Sequence, residues 1–133
     1  METKTTFILI DNPVDVMVHK FMLNNELKTP ADILHFKDPR QGLKYIETTH
    51  LPQTKYKTIV ILDMYTPGMD VHEFLHHFAI LNEQIKNQIK IFVVATILNN
   101  PEINKISSNP YVNMFLSKPL SEKNITDIVG CIN

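Results

Sequence analysis

Short apolar runs alternate with longer stretches of helical periodicity along this 133-residue chain. Thr6 to Ile10 (TFILI) is almost wholly apolar, β-branched or aromatic, which predicts a strand buried on both faces. After Asp11-Asn12-Pro13 a stripe of Val14, Met17, Val18, Phe21 and Met22, widened by Leu23 and Leu27, predicts a helix that packs on that stripe. ADILHF, just behind Pro30, predicts a second strand. DPRQGLKYIETTH predicts a helix with Asp38 as cap, Pro39 at its first position and Leu43, Tyr45 and Ile46 facing inward. KTIVILDM is the third strand, fully apolar from Ile59 to Leu62. Val71 to Ile85 predicts one helix, with Val71, Phe74, Leu75, Phe78, Leu81 and Ile85 on a single face. IKIFVVAT is the fourth strand, and NPEINKISS a short helix capped by Asn100. YVNMFLSKP is the fifth strand, and SEKNITDIVGCI a last helix opened by Ser121.

Strict alternation of strand and helix implies an α/β protein: a doubly wound, five-stranded parallel sheet covered on both faces, formed by residues 1–133 as a single domain. Ligands of such sheets bind beyond the carboxyl ends of the strands, where strand order reverses. The residues to watch are therefore Asp11 and Asn12 after the first strand, Asp63 at the third, Ala95 and Thr96 at the fourth, and Lys118 at the fifth.

Composition narrows the function classes. Hydrophobic content of 44% and charged content of 20% are those of an ordinary folded protein. A formal net charge of −1 gives no footprint for nucleic acid, and no apolar run is long enough for a membrane span. With Cys131 as the single cysteine no internal disulfide can form, and a cytoplasmic location is expected. Three glycines leave no glycine-rich phosphate loop. His72-Glu73-Phe74-Leu75-His76 fits the H-E-x-x-H pattern of zinc proteases. Yet His72, Glu73, His76 and His77 fall off the apolar face of their helix, and nothing in the spacing of His19, His35 or His50 nominates a third ligand. The motif is expected to be a solvated helix surface.

The sheet edge gathers different chemistry. Carboxylates suit Mg²⁺, which takes one or two of them together with phosphate and water. A lysine ammonium holds a phosphoryl group as a compact charge, and a carboxylate can attack phosphorus. Asp11, Asp63 and Lys118 supply those groups from three strands. Taken residue by residue, the same groups also fit plain loop charges facing water.

The motifs taken together carry a family likeness. FILIDN, IVILDMYTPGMDVHEFL, VVAT and FLSKPL follow one another in the order and spacing of a response-regulator receiver domain of two-component signalling. The chain resembles that family over essentially its full length, and NNPEINK with NPYVNMFLSKPL is similar to small stand-alone receivers of gliding, Gram-negative bacteria. The resemblance implies the flavodoxin-like (βα)5 receiver fold. It implies that Asp63 accepts a phosphoryl group from a histidine kinase or phosphotransfer protein. It implies a Mg²⁺ site of Asp11, Asn12, Asp63 and the Tyr65 carbonyl, phosphate contacts from Thr96 and Lys118, a switch pair of Thr96 and Phe115, and a cis peptide before Pro119. Partners would bind the face made by the helix after the fourth strand, the fifth strand and the last helix. Phosphorylation would favour a homodimer. The protein would be a signalling receiver rather than an enzyme, with at most self-catalysed phosphotransfer and autodephosphorylation. No fused output module is expected after Asn133, so output would pass to a partner protein.

Two positions depart from the family pattern. Asn12 stands where the second acidic residue is usual, which removes a charge and weakens Mg²⁺ binding. Ile97, bulky and β-branched, follows Thr96 where a small residue is usual, and Tyr65 puts a large ring beside the site. The alternative function is therefore a degenerate receiver, a binding module that works without phosphorylation. A flavodoxin-like small-molecule binder is a more distant alternative.

Overall fold

A strand that is apolar at every position needs cover on both faces, and the chain supplies it with helices on each side of one sheet. A computed structural model describes residues 5–49, 57–96 and 101–132. Its strands are β1 (Thr5–Ile10), β2 (Asp32–Phe36), β3 (Lys57–Asp63), β4 (Ile89–Ala95) and β5 (Val112–Ser117). Its helices are α1 (Pro13–Glu26), α2 (Pro39–Thr49), α3 (Val71–Ile80), α4 (Glu83–Lys86), α5 (Pro101–Ser107) and α6 (Glu122–Gly130). Every strand pair is parallel, in the order β2-β1-β3-β4-β5. The order reverses between β1 and β3, so the crevice above their carboxyl ends is the place where a ligand is expected. The expected doubly wound sheet is therefore present. Ile97 and the expected cap Asn100 lie outside the described residues.

Alternation along the strands builds two cores. Ile8, Ile10, Val60, Leu62, Ile91 and Val93 pack with Leu43, Ile46, Phe74, Leu75, Phe78 and Ile106 on one face. Phe7, Leu9, Ile59, Ile61, Phe92 and Val94 pack with Val16, Leu23, Ile125 and Ile128 on the other. Each large side chain fully buried in this way contributes roughly 1.5–3 kcal/mol.

Two helices differ from the periodicity argument. The predicted stripe of α1 faces outward: Val14, Met17, Val18 and Phe21 are 66%, 69%, 49% and 67% exposed. The buried positions are Val16, His19 and Leu23, spaced i, i+3 and i+7, with Met22 and Leu27 partly buried beside them. A histidine in the middle of that face hides it from an apolar count. The second difference is a break in the helix expected over Val71–Ile85. It stops at Ile80, Leu81 turns extended at φ −64° and ψ 160°, and the Asn82 side chain accepts from the Gln84 N–H at 2.8 Å to start α4. Asparagine offers the backbone this local alternative to helix. Ile85 still reaches the core and is buried.

His19 has a measurable consequence. It is buried, and burial followed by the nearby Lys118 charge lowers its pKa from 6.5. A depressed folded-state pKa means that the unfolded chain binds the extra proton first. Stability from the neutral ring is present above the unfolded value and is lost as pH falls below it, by at most about 1.4 kcal/mol per pH unit. Denaturant melts between pH 7 and pH 5 are expected to show this slope in the wild type and a shallower one in His19→Gln. Equal slopes in the two proteins would show that His19 does not govern it.

Candidate functional site

Strand ends define the site because each carries its side chain to the same edge. Asp11 follows β1, and its carbonyl oxygen is 3.2 Å from His35 Nε2 of β2. Asp63 is the last residue of β3, and the next N–H, that of Met64, donates to Val94 O of β4 at 2.9 Å. Lys118 follows β5, its backbone N–H donates to Ala95 O at 2.8 Å, and the Lys118–Pro119 peptide is cis. These backbone bonds lock the ends of β3, β4 and β5 together.

The Lys118 ammonium is the centre of the cluster. It lies 2.7 Å from Asp11 Oδ2, 2.8 Å from Asp15 Oδ2 and 3.0 Å from Asp63 Oδ1. Burial alone lowers the pKa of this ammonium, but the carboxylates of Asp11, Asp15 and Asp63 outweigh burial and hold it above its ordinary value. Burial pushes the Asp11 carboxyl above its ordinary range, against the pull of Lys118 and of the Asn12 N–H. The Lys118 ammonium holds the Asp15 carboxyl below its ordinary range, against a smaller effect of burial.

Asp15 is the residue that sequence reasoning missed. The chain enters α1 with Asn12 as its cap, whose Oδ1 accepts from the Asp15 N–H at 2.9 Å. The Asn12 Nδ2 group in turn donates to Asp15 Oδ2 at 2.8 Å and to Asp11 Oδ1 at 3.2 Å. The spacing Asn12-x-x-Asp15, a cap followed three residues later by an acidic acceptor, was the signal available in the sequence.

A cleft opens beside the cluster, lined by Asp11, Asn12, Asp63, Tyr65, Thr66 and Lys37 among others. Tyr65 is half-exposed at its rim, and its N–H donates to Asp63 Oδ2 at 3.1 Å. Lys37 adds a second cation that the sequence reading did not single out. The β3–α3 loop turns at Gly68, φ +98°, where a Cβ would meet the Asp38 carboxylate at 3.0 Å. Asp70 then caps α3 by accepting from the His72 N–H at 2.7 Å. Thr96 stands exposed just past β4, and Phe115 lies in β5 opposite Val93, partly buried against the core. His72, Glu73, His76 and His77 are all exposed, and His72 Nε2 pairs with Glu102 Oε2 of α5 at 2.7 Å.

The oxygens at this edge fit a hard divalent cation. Asp11 is 3% exposed, and its Oδ2 receives no well-directed hydrogen bond although the Lys118 ammonium is close. Among the described residues no three Asp, Glu, His or Cys side chains form a ready-made metal cage. Mg²⁺ takes one or two carboxylates and keeps its water or phosphate, so Asp11 and Asp63 are the oxygens to weigh for it.

No family model matches the chain, and no curated protein matches its sequence. Solved structures do match. A response regulator receiver protein from Dyadobacter fermentans aligns with a TM-score of 0.80 at 17% identity, covering 97% of both chains. A two-component response regulator from Cytophaga hutchinsonii aligns with a TM-score of 0.79 at 13% identity, over 99% of this chain and 98% of that one. The receiver domain of a Pseudomonas aeruginosa sensor histidine kinase, described with a magnesium ion coordinated in its active-site cleft, aligns at 0.71 with 15% identity, over 97% and 99%. The chain has the flavodoxin-like fold of response-regulator receiver domains.

Proposed function

We propose that this protein is a phosphoacceptor receiver of two-component signalling, with Asp63 as the residue modified. The observation that carries the reading is the convergence of Asp11, Asp63 and Lys118 at the strand-order reversal, with Lys118 Nζ 3.0 Å from Asp63 Oδ1. An Asp63 oxygen attacks the phosphorus of a phosphohistidine in line, and the P–N bond breaks with its electrons returning to the imidazole. Lys118 exchanges its contact with Asp63 for one with the transferred phosphoryl oxygens. The Thr96 hydroxyl donates to another of those oxygens. Asp11, Asp63, Asn12 and the Tyr65 carbonyl are the groups that would hold Mg²⁺. When bound, that ion neutralises charge on the phosphoryl oxygens.

The donor is a histidine kinase or phosphotransfer protein, and the output passes to a partner. The exposed apolar side of α1 supports protein docking, because a contiguous apolar patch gains from being covered. Among the described residues no helix is long and apolar enough to cross a membrane. With one cysteine, Cys131, a cytoplasmic setting is the simplest.

A second reading, a receiver that binds partners without accepting phosphate, is favoured by Asn12, whose Oδ1 is engaged by the Asp15 N–H. Intact-protein mass after incubation with acetyl phosphate or phosphoramidate, with and without Mg²⁺, separates the two. One phosphoryl adduct that requires Mg²⁺ is expected. No adduct from either donor at saturating Mg²⁺ would leave the binding module standing in its place.

A further inference from the structure

We propose that Asp15 supplies the negative charge that Asn12 lacks, so that the cation affinity of the site is set by Asp11, Asp63 and Asp15 together. The inference rests on the phosphoacceptor reading above and deepens it. It assigns a positioning role to Asp15, which acts by its charge and through Asn12 rather than as a direct ligand.

The charge count comes first. Asp11, Asp63 and Lys118 alone give their cluster one net negative charge. Asp15, within 2.8 Å of the same ammonium, brings the cluster to two, and Lys37 across the cleft offsets both counts equally. Two negative charges are also what an Asp at position 12 would have produced without Asp15. Attraction for a divalent cation depends on that count, because hard cations are held by charge as well as by oxygen number.

The local bonding explains how the charge can move by one helical turn. The Asn12 amide lies between two carboxylates, donating to Asp11 Oδ1 at 3.2 Å and Asp15 Oδ2 at 2.8 Å. A carboxylate at position 12 has no N–H to offer and would repel both. Amide at 12 and acid at 15 therefore form a matched pair. Helix capping by itself does not call for the acid, since a neutral amide oxygen would accept from Asn12 Nδ2 equally well. Asp11 Oδ2, nearly fully buried, has the Lys118 ammonium 2.7 Å away as its partner, so a cation entering the site shares this oxygen with Lys118.

The test is Mg²⁺ binding by the full chain, measured by calorimetry without any phosphodonor and checked with Mn²⁺ by electron paramagnetic resonance. Asp15→Asn keeps the acceptor and removes the charge. It is expected to weaken binding about tenfold. Adding Asn12→Asp to Asp15→Asn is expected to restore affinity close to that of the wild type, which a purely structural role for Asp15 would not produce. Asp15→Ser, a substitution suited to a first helical turn, is expected to weaken binding like Asp15→Asn, and melting curves confirm that each variant is folded. Unchanged affinity in Asp15→Asn, beside a loss in Asp11→Asn, would overturn the role of Asp15 and leave the phosphoacceptor site intact. A weakened Asp15→Asn that Asn12→Asp fails to rescue would also overturn it. Failure of the wild type to bind either ion would remove this inference together with the metal-dependent reading of the site.

Discussion

Asp63→Asn is expected to lose the phosphoryl adduct completely while folding at least as stably as the wild type. The first half follows from chemistry. An amide has no carboxylate oxygen to attack phosphorus, and Asp11, nearly fully buried, is not placed to substitute for it. The second half follows from crowding of like charges. Asp63 shares one ammonium with Asp11 and Asp15, so removing its charge relieves repulsion that Lys118 only partly offsets. The Asn oxygen can still accept from the Tyr65 N–H, which now bonds Asp63 Oδ2 at 3.1 Å. Stability is expected to be unchanged or higher by up to about 1 kcal/mol, in the manner of functional groups kept at a cost in stability. Intact mass after acetyl phosphate treatment reads the first effect, and urea denaturation in EDTA reads the second. An adduct that persists on Asp63→Asn would place the phosphoacceptor elsewhere.

Lys118→Ala is expected to cause the largest loss of stability at the site. Its side chain is 8% exposed and touches three carboxylates. Without it Asp11 is left buried beside Asp15 and Asp63 with no cation between them. Breaking a buried ion pair by removing one partner costs about 3–5 kcal/mol, and the partial exposure of Asp15 and Asp63 puts the expectation at the lower end, about 3 kcal/mol. The pH dependence gives a signature. In the wild type the depressed Asp15 pKa contributes stability that is present above 3.8 and lost as pH falls. In the variant the unneutralised carboxylates take up protons more readily, so the gap between the two proteins is expected to narrow toward acid. Phosphorylation is expected to fall with it, because Lys118 no longer meets the phosphoryl oxygens. Urea denaturation of both proteins across pH checks this. A gap that stays constant toward acid would show that the loss is one of packing rather than charge.

Most of the frame, and the meeting of Asp11, Asp63 and Lys118 at one sheet edge, was legible in the sequence. The apolar runs ending in Asp11, Asp63 and Lys118 are local features, and a parallel α/β sheet brings strand ends to one edge. The outward position of His72, Glu73, His76 and His77 was legible for the same reason, since a helix repeats within a few residues. The burial of α1 was not. Its outer side holds as many apolar residues as the side that packs, and His19 interrupts the true core face.

What the sequence by itself determined was the set of strands and helices, their alternation, and the residues that close each strand. Those depend on periodicity over a few neighbours. The break at Leu81 and Asn82 has a local device, the Asn82 cap, which the unbroken apolar periodicity conceals. The tertiary structure alone decided which face of α1 is covered and that Asp15 meets Lys118 across 103 residues of chain. Such choices are made by strand order and by packing between distant elements. The contact of Asp15 with Lys118 forms because α1 starts just past β1 and packs against α6, while the Lys118 side chain reaches back toward β1 from the end of β5, and no local pattern encodes that neighbourhood.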